Sequence, residues 1–155
     1  MSTSRAGTEE LRSFYERYID AFNRRDAVAF SGFFHLPVTI FSLPTDDDRR
    51  AGRPPRVVTE IEQLWPALPS HWTRSTIDDL RVVADGTAFT PRDGLAEGRD
   101  RRPALQVTVT RWAGEEPYEQ VHVLYLLTRE QGQLGIKAMV PLAMALPSRS
   151  GPGRA

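Results

Sequence analysis

The amino-acid sequence predicts an α+β fold in which N-terminal helices pack on one face of a curved antiparallel sheet. Two observations predict it. Apolar residues recur at helical spacing near the N-terminus, whereas residues 73–142 alternate like strands and contain turn signals such as Asp85-Gly86. A chain that has its helices first and a meander of strands afterwards is typical of the α+β class.

The N-terminal helix is the clearest element of the sequence. Thr8 is predicted to be its N-cap, and Asp26 is predicted to cap a second, shorter helix over residues 27–34. Pro37 is expected to end that helix before a strand at residues 38–42. The apolar stripe of the first helix consists of Leu11, Phe14, Tyr15, Tyr18, Ile19 and Phe22.

The middle of the chain alternates between charged loops and short periodic segments. Residues 44–56 have no periodicity and are predicted to form a charged, mobile loop whose aspartates are solvated rather than metal-bound. A capping box at residues 59–62 predicts a third helix, which Pro66 kinks or ends. The predicted strands after it cover residues 73–84, 87–90, 105–112, 118–129 and 134–142.

Composition restricts the possible function classes. The chain has 155 residues, and its 20 basic residues balance 20 acidic ones, so neither nucleic acid nor an anionic membrane is predicted as a partner. The lack of cysteine excludes disulfides, thiolate metal sites and a cysteine nucleophile. No apolar run reaches the roughly 20 residues that span a bilayer, and no signal-peptide core is present, so we expect a cytoplasmic protein.

The length suits a single domain. We place this domain at residues 9–143. Residues 1–8 and 144–155 are rich in small and polar residues and are predicted to be a flexible N-terminus and a flexible C-terminal tail.

Two segments of the sequence resemble a known superfamily. The first segment is the aromatic helix, which contains Tyr18-Ile19-Asp20-Ala21-Phe22, followed by Asp26, a phenylalanine-rich run and Val38-Thr39-Ile40. The second segment is Tyr125-Leu126-Leu127-Thr128-Arg129, which precedes a glycine turn. Over residues 9–143 the chain resembles the nuclear transport factor 2-like superfamily, in its SnoaL-like branch. Relatives include SnoaL-like polyketide cyclases, ketosteroid isomerase and scytalone dehydratase. The resemblance implies a cystatin-like cone around an apolar cavity, frequently as a homodimer through the outer sheet face, but this fold hosts many activities.

Residue by residue, the resemblance transfers only part of a catalytic site. Tyr18 precedes Asp26 as the oxyanion-hole tyrosine of ketosteroid isomerase precedes its second helix, which implies a phenol that donates a hydrogen bond to a developing oxyanion. The general-base aspartate of that enzyme aligns with Ser42 or Leu43, and neither can abstract the proton. The Asp–Arg–Asp arrangement of related epoxide hydrolases has no clear match.

His122 is the main candidate for a catalytic proton carrier, beside Tyr18 as the donor. It lies between Val121 and Val123 in a mostly apolar strand, and a histidine that lines a cavity titrates near neutral pH. The alternative is a hydrogen-bonded histidine in a dimer face or beneath a loop. The scytalone dehydratase pattern needs two histidines at one pocket, so His35 or His71 would join His122 only if the fold brings them together.

Five further residues are predicted to bind the substrate: Phe34, Trp72, Trp112, Glu119 and Tyr125. Glu119 has a second interpretation, an ion pair with Arg111 or Arg129, and Trp72 has another, a hydrophobic plug under an exposed turn. Neighbours alternate across a strand, so Glu119 and His122 face opposite ways. Apolar residues on both faces of that strand leave open which face lines the cavity.

We therefore expect a domain that binds a small apolar organic molecule. No glycine-rich phosphate loop and no metal-ligand spacing is present, so neither a cofactor nor a metal is predicted. If the domain is catalytic, it would perform cofactor-independent isomerisation, cyclisation or dehydration by acid/base chemistry. The alternative is a non-catalytic module of the same fold that senses a metabolite or binds another protein.

Overall fold

A computed structural model describes residues 5–41, 54–66, 68–86, 93–94 and 102–145. Two α-helices precede all six strands, as the sequence predicted. The helices are α1 (Arg5–Asn23) and α2 (Ala27–Ser31), and a short 3₁₀ helix covers Ile61–Gln63. The strands are β1 (Phe34–Ile40), β2 (Arg56–Val58), β3 (Arg74–Ala84), β4 (Ala104–Ala113), β5 (Glu116–Glu130) and β6 (Gln133–Ala145).

In the described residues, the six strands form one sheet in the order β2-β1-β6-β5-β4-β3. Neighbouring strands are antiparallel except β1 and β6, which are parallel. The α+β class is confirmed, and the sheet that was predicted to be antiparallel contains one parallel pair. The reason is that β1 lies between β2, its antiparallel neighbour in sequence, and β6, the last strand of the chain, which runs parallel to it.

Helix α1 packs its apolar stripe against one face of the sheet. Leu11, Phe14 and Tyr15 are almost fully buried, in agreement with the spacing in the sequence. At its C-terminal end, Asn23 is bonded to β3 twice: its amide nitrogen donates to the carbonyl oxygen of Ser75, and its side-chain oxygen accepts from the Ser75 backbone N–H, both at 2.8 Å. These two bonds position the aromatic residues of α1 over the sheet.

Several predicted boundaries differ from the observed ones. Helix α1 begins at Arg5, so Thr8 lies inside its first turns rather than at its N-cap. Asp26 caps α2 as predicted, because its carboxylate accepts from the Ala29 backbone N–H at 3.1 Å. Strand β6 extends to Ala145, two residues into the predicted tail. Residues 1–4 and 146–155 lie outside the described part, as does the predicted strand at residues 87–90.

The segment around Pro37 is a strand rather than the end of a helix. Strand β1 begins at Phe34 and contains Pro37 after a cis peptide bond. Its pairing with β6 shifts register between Phe34 and Thr39, so the missing N–H of proline falls where the ladder is already interrupted. The third helix is also shorter than predicted, because only one 3₁₀ turn forms and Glu60 makes no side-chain cap bond.

Candidate ligand-binding cavity

A cavity of about 210 Å³ lies between the helices and the inner face of the sheet. Residues of α1, α2 and all six strands contribute to its wall. The wall is mostly apolar and aromatic, with a few polar groups. The lining residues are Tyr15, Tyr18, Ile19, Phe22, Phe30, Phe34, Ile40, Arg56, Leu64, Pro66, Ser75, Val109, Arg111, Val121, Val123, Tyr125, Met139 and Pro141.

Three tyrosines of this lining form a cluster, which we call the phenol cluster: Tyr15 and Tyr18 of α1 and Tyr125 of β5. The hydroxyl oxygens of Tyr15 and Tyr125 lie 3.0 Å apart and share a hydrogen bond. The ring of Tyr18 lies 5.3 Å from that of Tyr15 and 5.9 Å from that of Tyr125, centroid to centroid. The cluster arises because two α1 positions three residues apart lie on the same helix face, above an inward position of β5.

The phenols of the cluster remain protonated at neutral pH. Burial raises the pKa of Tyr15 and of Tyr18 well above the usual range of a phenol, and the neighbouring Tyr125 raises both further. The pKa of Tyr125 is also raised by burial, although its hydrogen bonds with Tyr15 and Tyr18 lower it in part. Because the neutral form is favoured, each hydroxyl keeps a hydrogen to donate.

Arg111 of β4 is a cation whose charge acts on the phenol cluster. Its Nη1 lies 2.5 Å from Oε1 of Glu119, which is its direct cross-strand neighbour on β5. Arg111 lines the cavity, and its charge lowers the pKa of all three clustered tyrosines, although burial outweighs this effect. Glu119 offsets that charge and orients the guanidinium. The second interpretation of Glu119, an arginine partner, is the one that the geometry gives.

Arg56 is a cavity residue that the sequence analysis did not single out. Its backbone is the cross-strand partner of Ile40, and both side chains line the cavity. The side chain is also exposed, so it lies at the mouth. Arg56 ends a charged run without periodicity, so the local sequence did not indicate a cavity residue. Only the pairing of β2 with β1 directs its side chain inward.

The structure brings some of the predicted site residues to the cavity. Tyr18, Tyr125 and Phe34 line it. Glu119 reaches it only through Arg111. His122 does not line it, because Val121 and Val123 on either side point inward and alternation turns His122 to the outer face.

The two predicted tryptophans also lie outside the lining. Trp72 is 1% exposed and packs behind the cavity wall, with its ring 5.1 Å from that of Phe22 and its Nε1 donating to the Ser75 hydroxyl. It is buried directly after the exposed turn at residues 69–71, in agreement with the second interpretation, a hydrophobic plug. Trp112 donates from Nε1 to the Thr76 hydroxyl at 2.8 Å, and Arg74 lies over its ring.

The three histidines lie at separate places in the fold. His35 is on β1, where its Nε2 is 2.9 Å from the carbonyl oxygen of Gln133. His71 precedes β3 and packs edge-on against Tyr118. His122 is in the middle of β5, opposite Thr108. No pair of the kind expected for scytalone dehydratase forms, and Ser42 and Leu43 lie outside the described residues.

The titratable groups among the described lining residues are phenols and guanidiniums; none is an aspartate, a glutamate or a histidine. The part of the chain that the structure describes holds no cluster of three histidine or carboxylate side chains suited to a metal ion. Within the same ranges, no helix combines the length and the apolar character that crossing a bilayer requires.

No protein-family model matches the sequence, and no curated protein is similar to it. Solved structures are similar. A protein of unknown function with a cystatin-like fold from Nostoc punctiforme superimposes with a TM-score of 0.57 at 9% identity, over 92% of this chain and 94% of its own. Aln2 from a Streptomyces species gives a TM-score of 0.57 at 17% identity, over 92% and 94%. An NTF2-like protein of unknown function from Pseudomonas putida gives 0.56 at 13% identity, over 92% and 89%. The chain therefore has the cystatin-like fold of the nuclear transport factor 2-like proteins, as the sequence predicted.

Proposed function

We propose that this domain binds a small, largely apolar organic molecule whose oxygen atom accepts a hydrogen bond from the phenol cluster. The single observation that supports this most is the position of three buried hydroxyls inside a mostly apolar cavity. Concave apolar sites with a few convergent polar groups are the usual form of small-molecule sites. The phenols would fix the orientation of the ligand, and the aromatic walls would supply most of the affinity.

The size of the cavity sets the size of the ligand. An engineered apolar cavity of about 150 Å³ holds benzene. The cavity here measures about 210 Å³, so it suits a molecule of one or two rings or an acyl chain of similar volume. A molecule of drug size generally needs a pocket of about 300 Å³ or more.

A count of hydrogen atoms supports the role of the phenol cluster. Three hydroxyls carry three hydrogens, and the bonds within the cluster join Tyr15 to Tyr125 and bring Tyr18 against Tyr125. These contacts use two of the three hydrogens at most. One hydrogen is then left for an acceptor on the ligand. A carbonyl, hydroxyl or ether oxygen would satisfy it, whereas a hydrocarbon would leave it unpaired at a cost of about 1–3 kcal/mol.

Cofactor-independent catalysis is the second candidate function, and the phenol cluster beside Arg111 favours it. Phenols that stay neutral, close to a cation, stabilise negative charge developing on an oxygen. Isomerisation, cyclisation or dehydration would then proceed by hydrogen-bond donation from Tyr18. His122 would not be the proton carrier for a ligand in this cavity, because it faces the other side of the sheet. Sensing without turnover needs only the binding step.

The outer face of the sheet is our proposed site for a second copy of the chain. Leu124 and Leu126 of β5 point to it, beside Val140 and Ala138 of β6, and give an apolar row across two strands. Sedimentation of the wild type and of a Leu126→Glu variant tests this. We expect a wild-type dimer and a folded monomeric variant, and a wild-type monomer would reject the proposal.

Native mass spectrometry on gently purified protein is the first test of ligand binding. We expect an extra mass of a small organic molecule, which disappears on denaturation. Its molecular formula would contain at least one oxygen. The ligand would then be returned to the protein and to a Tyr18→Phe variant, where we expect about 5-fold to 100-fold weaker binding because the ligand oxygen loses its donor.

A cavity-filling variant supplies the matched control for this test. Val123 lines the cavity, whereas Leu124, the next residue, points away from it. Val123→Phe should abolish binding of the returned ligand, and Leu124→Phe should leave it unchanged. Equal binding by both variants would place the ligand elsewhere and contradict the proposal.

A further inference from the structure

Among the described residues, the charge of the cavity lining is unbalanced at Arg56. Of the two lining arginines, Arg111 is neutralised by Glu119 at 2.5 Å. The side chain of Arg56 makes no hydrogen bond or ion pair with any of the described residues, and none of the described lining residues is acidic. The described lining therefore presents one unneutralised cation.

The sheet register places this cation next to apolar cavity wall. Arg56 pairs with Ile40, and two residues along the same strands Val58 pairs with Val38, both of which are buried. Positions 56 and 58 share one face of β2, because side chains alternate. Arg56 thus lies on the inner face of β2, where the buried Val58 would lead one to expect a second apolar residue. Because Arg56 is exposed, its charged end lies at the mouth of the cavity.

A guanidinium in this place favours an anionic ligand over a neutral one of the same shape. Its planar donors match a carboxylate in a two-point arrangement. The apolar wall beside Arg56 excludes part of the solvent that would otherwise screen the pair, so the attraction is larger than on an open surface. A neutral amide of equal size gains only an ordinary hydrogen bond from the same group.

We infer that the ligand is a small organic acid, with its apolar body in the cavity and its carboxylate bonded to Arg56 at the mouth. This inference rests on the proposed function, because it names the substrate class of the same cavity. The end of the ligand near the phenol cluster carries the neutral oxygen. A hydroxy- or oxo-substituted acid of one or two rings meets both requirements.

The test compares acids with their neutral amides in binding to the full chain. The probes are benzoate, naphthoate and a hydroxynaphthoate, each beside its carboxamide, measured by calorimetry at low salt. The variants are Arg56→Gln, Arg56→Lys and a control, Arg81→Gln, which removes an exposed arginine of β3 that does not line the cavity. The Val123→Phe variant reports whether each probe occupies the cavity.

We expect the wild type and Arg81→Gln to prefer each acid over its amide by about tenfold, with the preference falling at about 1 M salt. Arg56→Gln should lose the preference while keeping the affinity for the amide, and Arg56→Lys should keep part of it. Acids and amides that bind the wild type equally, or a preference that Arg56→Gln leaves intact, would overturn this inference while the proposed function stands. Failure of every probe, acid and amide alike, to bind the cavity would overturn both.

Discussion

Replacing Tyr125 with phenylalanine should destabilise the fold, because the Tyr125 hydroxyl is hydrogen-bonded to that of Tyr15 inside the core. The two oxygens are 3.0 Å apart, and the residues are only 4% and 1% exposed. Deleting one partner of a buried hydrogen bond costs about 1–3 kcal/mol. In a chain of this length about 1 kcal/mol lowers Tm by roughly 2–4 °C, so we expect a fall of about 2–12 °C.

Tyr118→Phe is the matched control for this substitution. Of the described residues, only Tyr118 has a buried side-chain oxygen or nitrogen without a hydrogen-bond partner. Removing its hydroxyl therefore breaks no bond, and its edge-on ring contact with His71 remains available to phenylalanine. We expect Tyr118→Phe to be neutral or slightly stabilising in urea unfolding followed by tryptophan fluorescence.

A double-mutant cycle of Tyr15→Phe and Tyr125→Phe separates the hydrogen bond from the loss of two polar atoms. Once one hydroxyl is gone, removing the other relieves an unpaired buried group, so the double variant should lose less stability than the sum of the singles. A coupling free energy below about 0.5 kcal/mol would refute the hydrogen-bonded cluster. Equal losses in Tyr125→Phe and Tyr118→Phe would refute it as well.

Three further predictions follow from the same structure. All four tyrosines have a raised pKa in the folded protein. Above pH about 10 the unfolded chain therefore loses its phenol protons before the folded chain does, and the free energy of unfolding falls as the pH rises. Phenolate absorbance should appear together with unfolding. A Cβ on Gly135 would overlap the His35 ring, so Gly135→Ala should cost about 1–3 kcal/mol in urea unfolding, and less in a His35→Ala background. The hydrogen bond from Arg129 lowers the pKa of Glu10, so this ion pair stabilises the fold above pH about 4.5 and ceases to do so below it. Glu10→Gln should therefore weaken the loss of folding stability at acid pH, by less than about 1 kcal/mol because the pair is exposed.

Elements with a strong periodicity could be predicted from the sequence, but the face of the sheet that lines the cavity could not. The stripe of α1 and the alternation of β3 to β6 are properties of the local sequence. Strand β5 carries apolar residues on both faces, and only the position of α1 decides that Val121, Val123 and Tyr125 point inward. This tertiary contact reverses the interpretation of His122 as a cavity residue. The apolar neighbours of His122 in the sequence did not indicate which face of β5 lines the cavity.

The residues that sequence reasoning missed depend on pairings between distant segments. Arg56 lines the cavity because β2 adds to β1, and β1 forms because it pairs with β6, about a hundred residues away. Pro37 suggested a break, because a proline removes an N–H from a regular ladder. The register shift in β1 removes the need for that N–H, and no local pattern records it.

The chemistry open to this cavity follows from which groups face inward. Among the described lining residues, phenols with raised pKa values can donate hydrogen bonds, and guanidiniums can attract negative charge, but neither can accept a proton near neutral pH. The described wall therefore stabilises an oxyanion better than it creates one by proton abstraction. A ligand that is already anionic, or that rearranges through its own acidic group, gains most from such a wall. The ligand carboxylate at Arg56 and the neutral ligand oxygen at Tyr18 thus meet one requirement. The described lining supplies hydrogen-bond donors and positive charge, so the ligand must itself carry the negative charge.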